Sequence, residues 1–149
     1  MAHILIADDD ELIAEMAADI LIKAGHACGW VTDGTKLLDL LRWRRPDVLL
    51  LDQDMPGLTG KQVLREIRQS EQHYDLPVIM FTAIHGAYAE QSALYAGAQG
   101  YIRKPFIDKF LVRTVELVLA SREGRPSHRA LSEALGYEEA DRAPARRMV

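Results

Sequence analysis

The chain has one cysteine in 149 residues. With no second cysteine for Cys28 to pair with, an internal disulfide is excluded, and a reducing cytoplasm is the natural setting. Cys28 itself, inside an apolar run, reads as a small core residue. No apolar stretch approaches the ~20 residues needed to span a bilayer, which argues against a membrane helix. Met1-Ala2-His3 leads straight into a strand-like run without the apolar core of a secretion leader. A basic excess is also missing. Net charge is -4, with 13 basic and 17 acidic side chains through Arg122 and a balanced remainder. That is not the footprint of a nucleic-acid-binding module. Arg42, Arg44 and Arg45 cluster at the end of a predicted helix, where cations suit the helix dipole. The only internal repetition is an alternation of strand and helix patterns.

What is present suits one globular domain with a full core: 48% hydrophobic and 27% charged residues. The organising stretch is Val48 to Gly57. Four aliphatic residues run into Asp52, and Met55-Pro56-Gly57 then forces a turn. An unbroken apolar run bounded by turn residues suits a strand buried on both faces of a parallel sheet. Further strands are predicted at His3 to Ala7, Ala27 to Val31, Val78 to Phe81 and Tyr101 to Arg103. Helices follow each. The first carries Leu12, Ile13, Met16, Ala17, Ile20 and Leu21 at helical spacing behind an Asp10 N-cap. The second places Leu37, Leu38 and Leu41 on one face before Pro46. The third opens at Thr59-Gly60 with Val63, Leu64 and Ile67 inward. The fourth, about His85 to Ala96, is alanine-rich and predicted to be the loosest. The last puts Leu111, Val115, Val118 and Leu119 inward. Five strand-then-helix units imply an α/β fold, a parallel sheet covered on both faces, in three layers.

Polar residues collect where these strands end: Asp8 and Asp9 after the first, Asp52 after the third, Thr82 after the fourth, Lys104 after the fifth. In open α/β sheets ligands bind at that edge. Singly, each residue has a plainer role: a solvated helix start, a strand-end cap, a surface charge. Together, three carboxylates in one pocket repel unless a cation joins them, and Mg²⁺ suits carboxylates, waters and phosphate oxygens. An aspartate, with an ordinary pKa of ~3.9, is ionised without a general base. With Lys104 and Thr82 beside it, the group is equipped for phosphoryl transfer.

Asp8-Asp9, Leu51-Asp52 followed by Met55-Pro56-Gly57, Phe81-Thr82-Ala83, and Gly100-Tyr101 with Lys104-Pro105-Phe106 resemble, in order and spacing, the receiver domain of two-component response regulators. The resemblance covers about residues 3 to 121. It implies a flavodoxin-like doubly wound five-stranded sheet in the order 2-1-3-4-5, with residues 1–122 as the receiver. Asp52 would accept a phosphoryl group from a phosphohistidine on a histidine kinase or histidine phosphotransfer protein. Asp8, Asp9, Asp52 and the backbone carbonyl of Asp54 would hold Mg²⁺. Lys104 would pair with phosphoryl oxygens, and the Lys104–Pro105 peptide would be cis. Thr82 and Tyr101 would act as the switch, changing a surface made of the last two strand–helix units. Asp54 and Ile84 lie where the family tunes phosphoryl lifetime.

Where the DNA-binding subfamily that dimerises through that surface carries acidic residues and an arginine, this chain has Gln99, Gly100 and Thr114. A monomer or weak dimer is therefore expected. No helix-turn-helix or catalytic domain follows, so the expected protein is a cytoplasmic, stand-alone signalling switch rather than an enzyme. It would act on a downstream protein target, with no direct DNA or membrane binding. Two alternatives stand beside it: a phosphate-relay sink with no output partner, and a haloacid-dehalogenase-type phosphohydrolase, whose Asp-x-Asp signature Asp52-Gln53-Asp54 resembles. The latter family wants that signature on its first strand, a small hydroxylated or β-branched residue in place of Pro56, and further acidic ligands after the lysine. Residues 123–149 are expected to be a tail, with one short helix from Ser127 to Leu135 followed by disorder. The third possibility is that the receiver was released from a longer protein, or that the tail after Arg122 is a docking element for a particular partner.

Overall fold

The computed structural model describes residues 1–84 and 86–121, so the expectations for the tail lie outside the described residues. Five strands and five helices alternate: β1 (His3–Ala7), α1 (Glu11–Lys23), β2 (Ala27–Val31), α2 (Gly34–Trp43), β3 (Val48–Leu51), α3 (Gly60–Gln69), β4 (Val78–Thr82), α4 (Ala87–Tyr95), β5 (Gly100–Arg103) and α5 (Asp108–Ala120). The sheet is wholly parallel in the order β2-β1-β3-β4-β5. This is the flavodoxin-like doubly wound arrangement expected from the sequence. No described helix is long and apolar enough to cross a membrane.

β3 occupies the centre of the sheet, and all four of its residues are buried. Alternation of side chains across the sheet divides the core in two. Leu5, Leu49, Leu51, Val78 and Met80 meet α2 and α3 on one face, with Ala93 of α4 joining them. Ile4, Ile6, Leu50, Ile79 and Phe81 meet α1 and α5 on the other. At α3 the Thr59 side chain accepts from Gln62 N, and the Gln62 side chain accepts in return from Thr59 N. Such reciprocal caps stabilise a helix start by about 1 kcal/mol. Asp10 and Asp33 cap α1 and α2 by accepting alone, from Leu12 N and Ile13 N and from Thr35 N and Lys36 N.

The structure corrects four details. α1 buries Ala14, Ala17, Ala18 and Leu21, whereas Leu12 and Met16 are 67% and 52% exposed. The small face lets the helix lie close on the sheet, and that close approach, rather than side-chain size, selects the inward residues. α4 is shorter than residues 85–96, because Gly86 sits at φ 117, outside any right-handed helix. Leu119 of α5 is half-buried rather than core. Cys28 is partly buried as well, and burial pushes its thiol pKa up to about 12. It stays protonated at neutral pH.

Candidate functional site

Each site residue is positioned by strand geometry. Asp8 follows β1, and its backbone N–H donates to Val31 O at 3.0 Å. Asp52 follows β3, with its N–H bonded to Ala7 O at 2.9 Å. Thr82 is the last residue of β4, and its carbonyl accepts from Lys104 N at 3.0 Å, just beyond β5. Adjacent parallel strands ending at the same level thus bring Asp8, Asp9, Asp52, Thr82 and Lys104 to one edge. Asp8, Asp52 and Thr82 are buried there. Asp9 is exposed at the mouth.

Charge in this pocket is balanced from within. The Lys104 ammonium donates to Asp8 Oδ2 and lies 3.4 Å from Asp52 Oδ2. Its Nζ also sits 4.9 Å from the centroid of the Phe81 ring, against which Phe106 packs at 5.3 Å. These aromatic rings form a low-dielectric floor that strengthens the lysine's hold on both carboxylates. The second Asp8 oxygen accepts from Asp10 N at 2.9 Å. Burial raises the Asp52 pKa above its ordinary value; Lys104 opposes this, the Asp8 charge adds to it, and the Thr82 hydroxyl lowers it. Asp8, Asp9 and Asp52 each present a carboxylate oxygen within 4.8 Å of the others. An oxygen-only, acidic donor set fits a hard divalent cation such as Mg²⁺. Asp54 is exposed two residues past Asp52.

Behind Asp52 the chain is packed backbone to backbone. Gly60 N donates to Gln53 O at 2.9 Å, and the Gln53 side chain accepts from Lys61 N at 3.0 Å. A Cβ on Gly60 would lie 2.4 Å from Asp52 O and 2.9 Å from Gln53 Cα. Neither atom can yield without moving the Asp52 backbone. At an unhindered helix start Gly→Ala stabilises; here Gly60→Ala is expected to destabilise by about 1–3 kcal/mol. A lower urea midpoint checks it. The turn after Asp52 is anchored sideways, for Gly34 N donates to Pro56 O at 3.1 Å and Gly57 adopts φ 84.

The remaining motif residues lie at the same edge. Tyr101 is half-buried, and its hydroxyl donates to Ile84 O in the loop leaving Thr82. Ile84 N in turn donates to Thr82 Oγ1 at 3.3 Å. Burial and then the Glu90 charge raise the Tyr101 pKa, so it remains a donor at neutral pH. The Lys104–Pro105 peptide is cis. The Phe81–Phe106 floor and the Gly60 contact were not expected from the sequence. Their signals, an aromatic beside Thr82, another beyond Pro105 and a glycine at a helix start, each have more ordinary explanations.

Residues 4–116 match the family described as the response regulator receiver domain. The chain belongs to this family. It is 36% identical over 125 residues to the DNA-binding response regulator MtrA of Mycolicibacterium paratuberculosis, an alignment spanning 84% of this chain and 54% of that protein. To the response regulator MprA of Mycobacterium bovis it is 33% identical over 147 residues, 99% of this chain and 62% of that one. The chain therefore spans about half to three-fifths of these curated relatives. Among solved structures, a putative response regulator from Chloroflexus aurantiacus is similar with TM-score 0.76 and 34% identity, over 80% of this chain and 98% of the other. The receiver family is a family of signalling switches, and its match removes the phosphohydrolase alternative. Asp52, the phosphoacceptor candidate, also follows the third strand and not the first.

Proposed function

We propose that Asp52 is the phosphoacceptor of a two-component switch, with Asp8, Asp9, Asp52 and the backbone carbonyl of Asp54 holding Mg²⁺. The observation that carries this reading is the buried Asp52 carboxylate set between the Lys104 ammonium and the Thr82 hydroxyl. An Asp52 carboxylate oxygen forms the new O–P bond while the P–N bond of the donor phosphohistidine breaks and the imidazole leaves. Bound Mg²⁺ supplies charge neutralisation for the carboxylates and the transferring phosphoryl group. Lys104, already paired with Asp8 and Asp52, and Thr82, already bonded by Ile84 N, would exchange these partners for phosphoryl oxygens. Phosphorylation adds about -1.5 to -2 charge and three acceptors, enough to shift a two-state equilibrium.

The readout is the α4–β5–α5 face. Thr82 and Tyr101 both bond to the loop before α4, so a change at Thr82 is felt by Tyr101 and by α4. The acidic balance of the first 122 residues supports output by protein contact rather than by this domain gripping DNA. DNA binding, as in the name of the MtrA relative, would then reside outside them. Incubation of the full chain with acetyl phosphate and Mg²⁺ should add one phosphoryl group that hydroxylamine removes, as an acyl phosphate requires, and EDTA should block the addition. No mass gain, or a label on a residue other than Asp52, would overturn the assignment.

A further inference from the structure

At the sheet edge opposite Asp52 lies a cavity of about 380 Å³, where β1, β2 and the segment before β3 begin. Its origin lies in β2. Ala27 and Gly29 face the α2 side, in register with His3 and Leu5 of β1. Neither fills the space that an ordinary strand residue would occupy, and a Cβ at Gly29 would meet nothing within 4 Å. α2 ends at Trp43, so its last turn lays Leu40 over the space without closing it. Leu5 and Pro46 are buried beneath, and Trp30, 37% exposed, stands at the strand edge.

His3, Arg44 and Arg45 line the rim, with the Asp47 carboxylate beside it held by His3 N at 2.8 Å. Arg45 is committed elsewhere, donating to Gln72 O at 2.8 Å and to Asp75 Oδ1 at 2.9 Å. Arg44 is exposed, and its guanidinium has no partner among the described residues. In a chain of net charge -4, an apolar recess closed by an uncommitted arginine is a local exception. Its volume falls at the small end of the ~300–1,000 Å³ typical of ligand sites. We propose that this cavity binds a small aromatic acid, with the ring against Gly29, Leu5 and Leu40 and the acid group paired with Arg44.

The test uses two probes of similar shape, the anion 8-anilinonaphthalene-1-sulfonate and its neutral counterpart N-phenyl-1-naphthylamine. Each is titrated into the full chain while amide NMR shifts are followed. The largest shifts are expected at Ala27, Gly29 and Leu40. Gly29→Leu should fill the recess and weaken both probes about tenfold or more, and Arg44→Ala should weaken the anion about tenfold and the neutral probe less than about twofold. Shifts centred elsewhere, unchanged binding in Gly29→Leu, or equal losses for both probes in Arg44→Ala would overturn the proposal. If Gly29→Leu fails to fold by circular dichroism, the Arg44→Ala comparison decides alone. Phosphoryl uptake at Asp52 should be unchanged in Arg44→Ala, which separates failure here from failure of the phosphoacceptor assignment.

Discussion

Asp52→Asn should gain no phosphate mass from acetyl phosphate with Mg²⁺, under conditions that label the parent chain. The amide keeps the shape of the carboxylate but has no anionic oxygen to attack phosphorus, and no other carboxylate replaces it. Asp8 is buried with both oxygens engaged, by Lys104 and Asp10 N, and Asp9 lies at the exposed mouth. The same substitution should raise stability at pH 7. Burial raises the folded-state pKa of Asp52, so between the ordinary carboxylate value and that raised value the native state binds more protons than the unfolded one. Stability therefore falls as pH rises through this window, and above it the native state bears the full cost of a buried anion. Asparagine bears none of it. The urea midpoint of Asp52→Asn should exceed the parent's at pH 7, and the gap should narrow as pH falls toward the ordinary carboxylate range. Retained acyl-phosphate formation in the variant, or a gap that widens on acidification, would refute the assignment.

Arg68→Ala should cost about 3–5 kcal/mol, the largest stability loss expected from any change away from the pocket. Arg68, in the last turn of α3, is only 9% exposed, and its guanidinium ties the helix to two other segments. Nε and Nη2 donate to Gly97 O at 2.9 and 2.6 Å, Nη1 to Tyr74 O at 3.0 Å and Leu76 O at 2.8 Å, and Nη2 also to Gln99 Oε1 at 2.8 Å. Truncation leaves these acceptors without their donor, at ~1–3 kcal/mol each where water cannot reach. Chemical denaturation followed by far-UV circular dichroism reads the loss, and Arg68→Lys should recover only part of it, since a point charge cannot reproduce the fork. A loss below about 1 kcal/mol would show that water replaces the guanidinium freely. Gln99 Oε1 also accepts from Val78 N at 2.8 Å, so the clamp fixes the start of β5 and leaves its Lys104 end outside it.

The sequence disclosed most of the fold because its main signals are local. The run Val48 to Leu51 is buried at every position, and the candidate site residues Asp8, Asp52 and Thr82 lie where β1, β3 and β4 end. What it concealed depends on distance through space. Arg68 looks like an ordinary cation in a last helical turn, and its burial is dictated by Gly97, 29 residues on. Gly97 reads as a turn glycine, yet a Cβ there would also lie 2.8 Å from Arg68 Nε. In α1 the apolar spacing was legible but not the rotation, because Leu12 and Ala14 differ in burial only once the helix is set close on the sheet. Lys104, a plausible surface charge in one dimension, is drawn inward by the ring of Phe81 and two carboxylates.

One property of α4 carries a last consequence. Of its nine residues only Ala93 is buried, and no side chain caps its start. Five exposed positions, Ala87, Tyr88, Gln91, Leu94 and Tyr95, can be rewritten over evolutionary time without disturbing the interior or the acidic pocket. With α4 in the proposed readout face, recognition could drift from one pathway to another while the pocket is inherited intact, and paralogues built on this frame could avoid cross-talk by editing a single outward-facing segment.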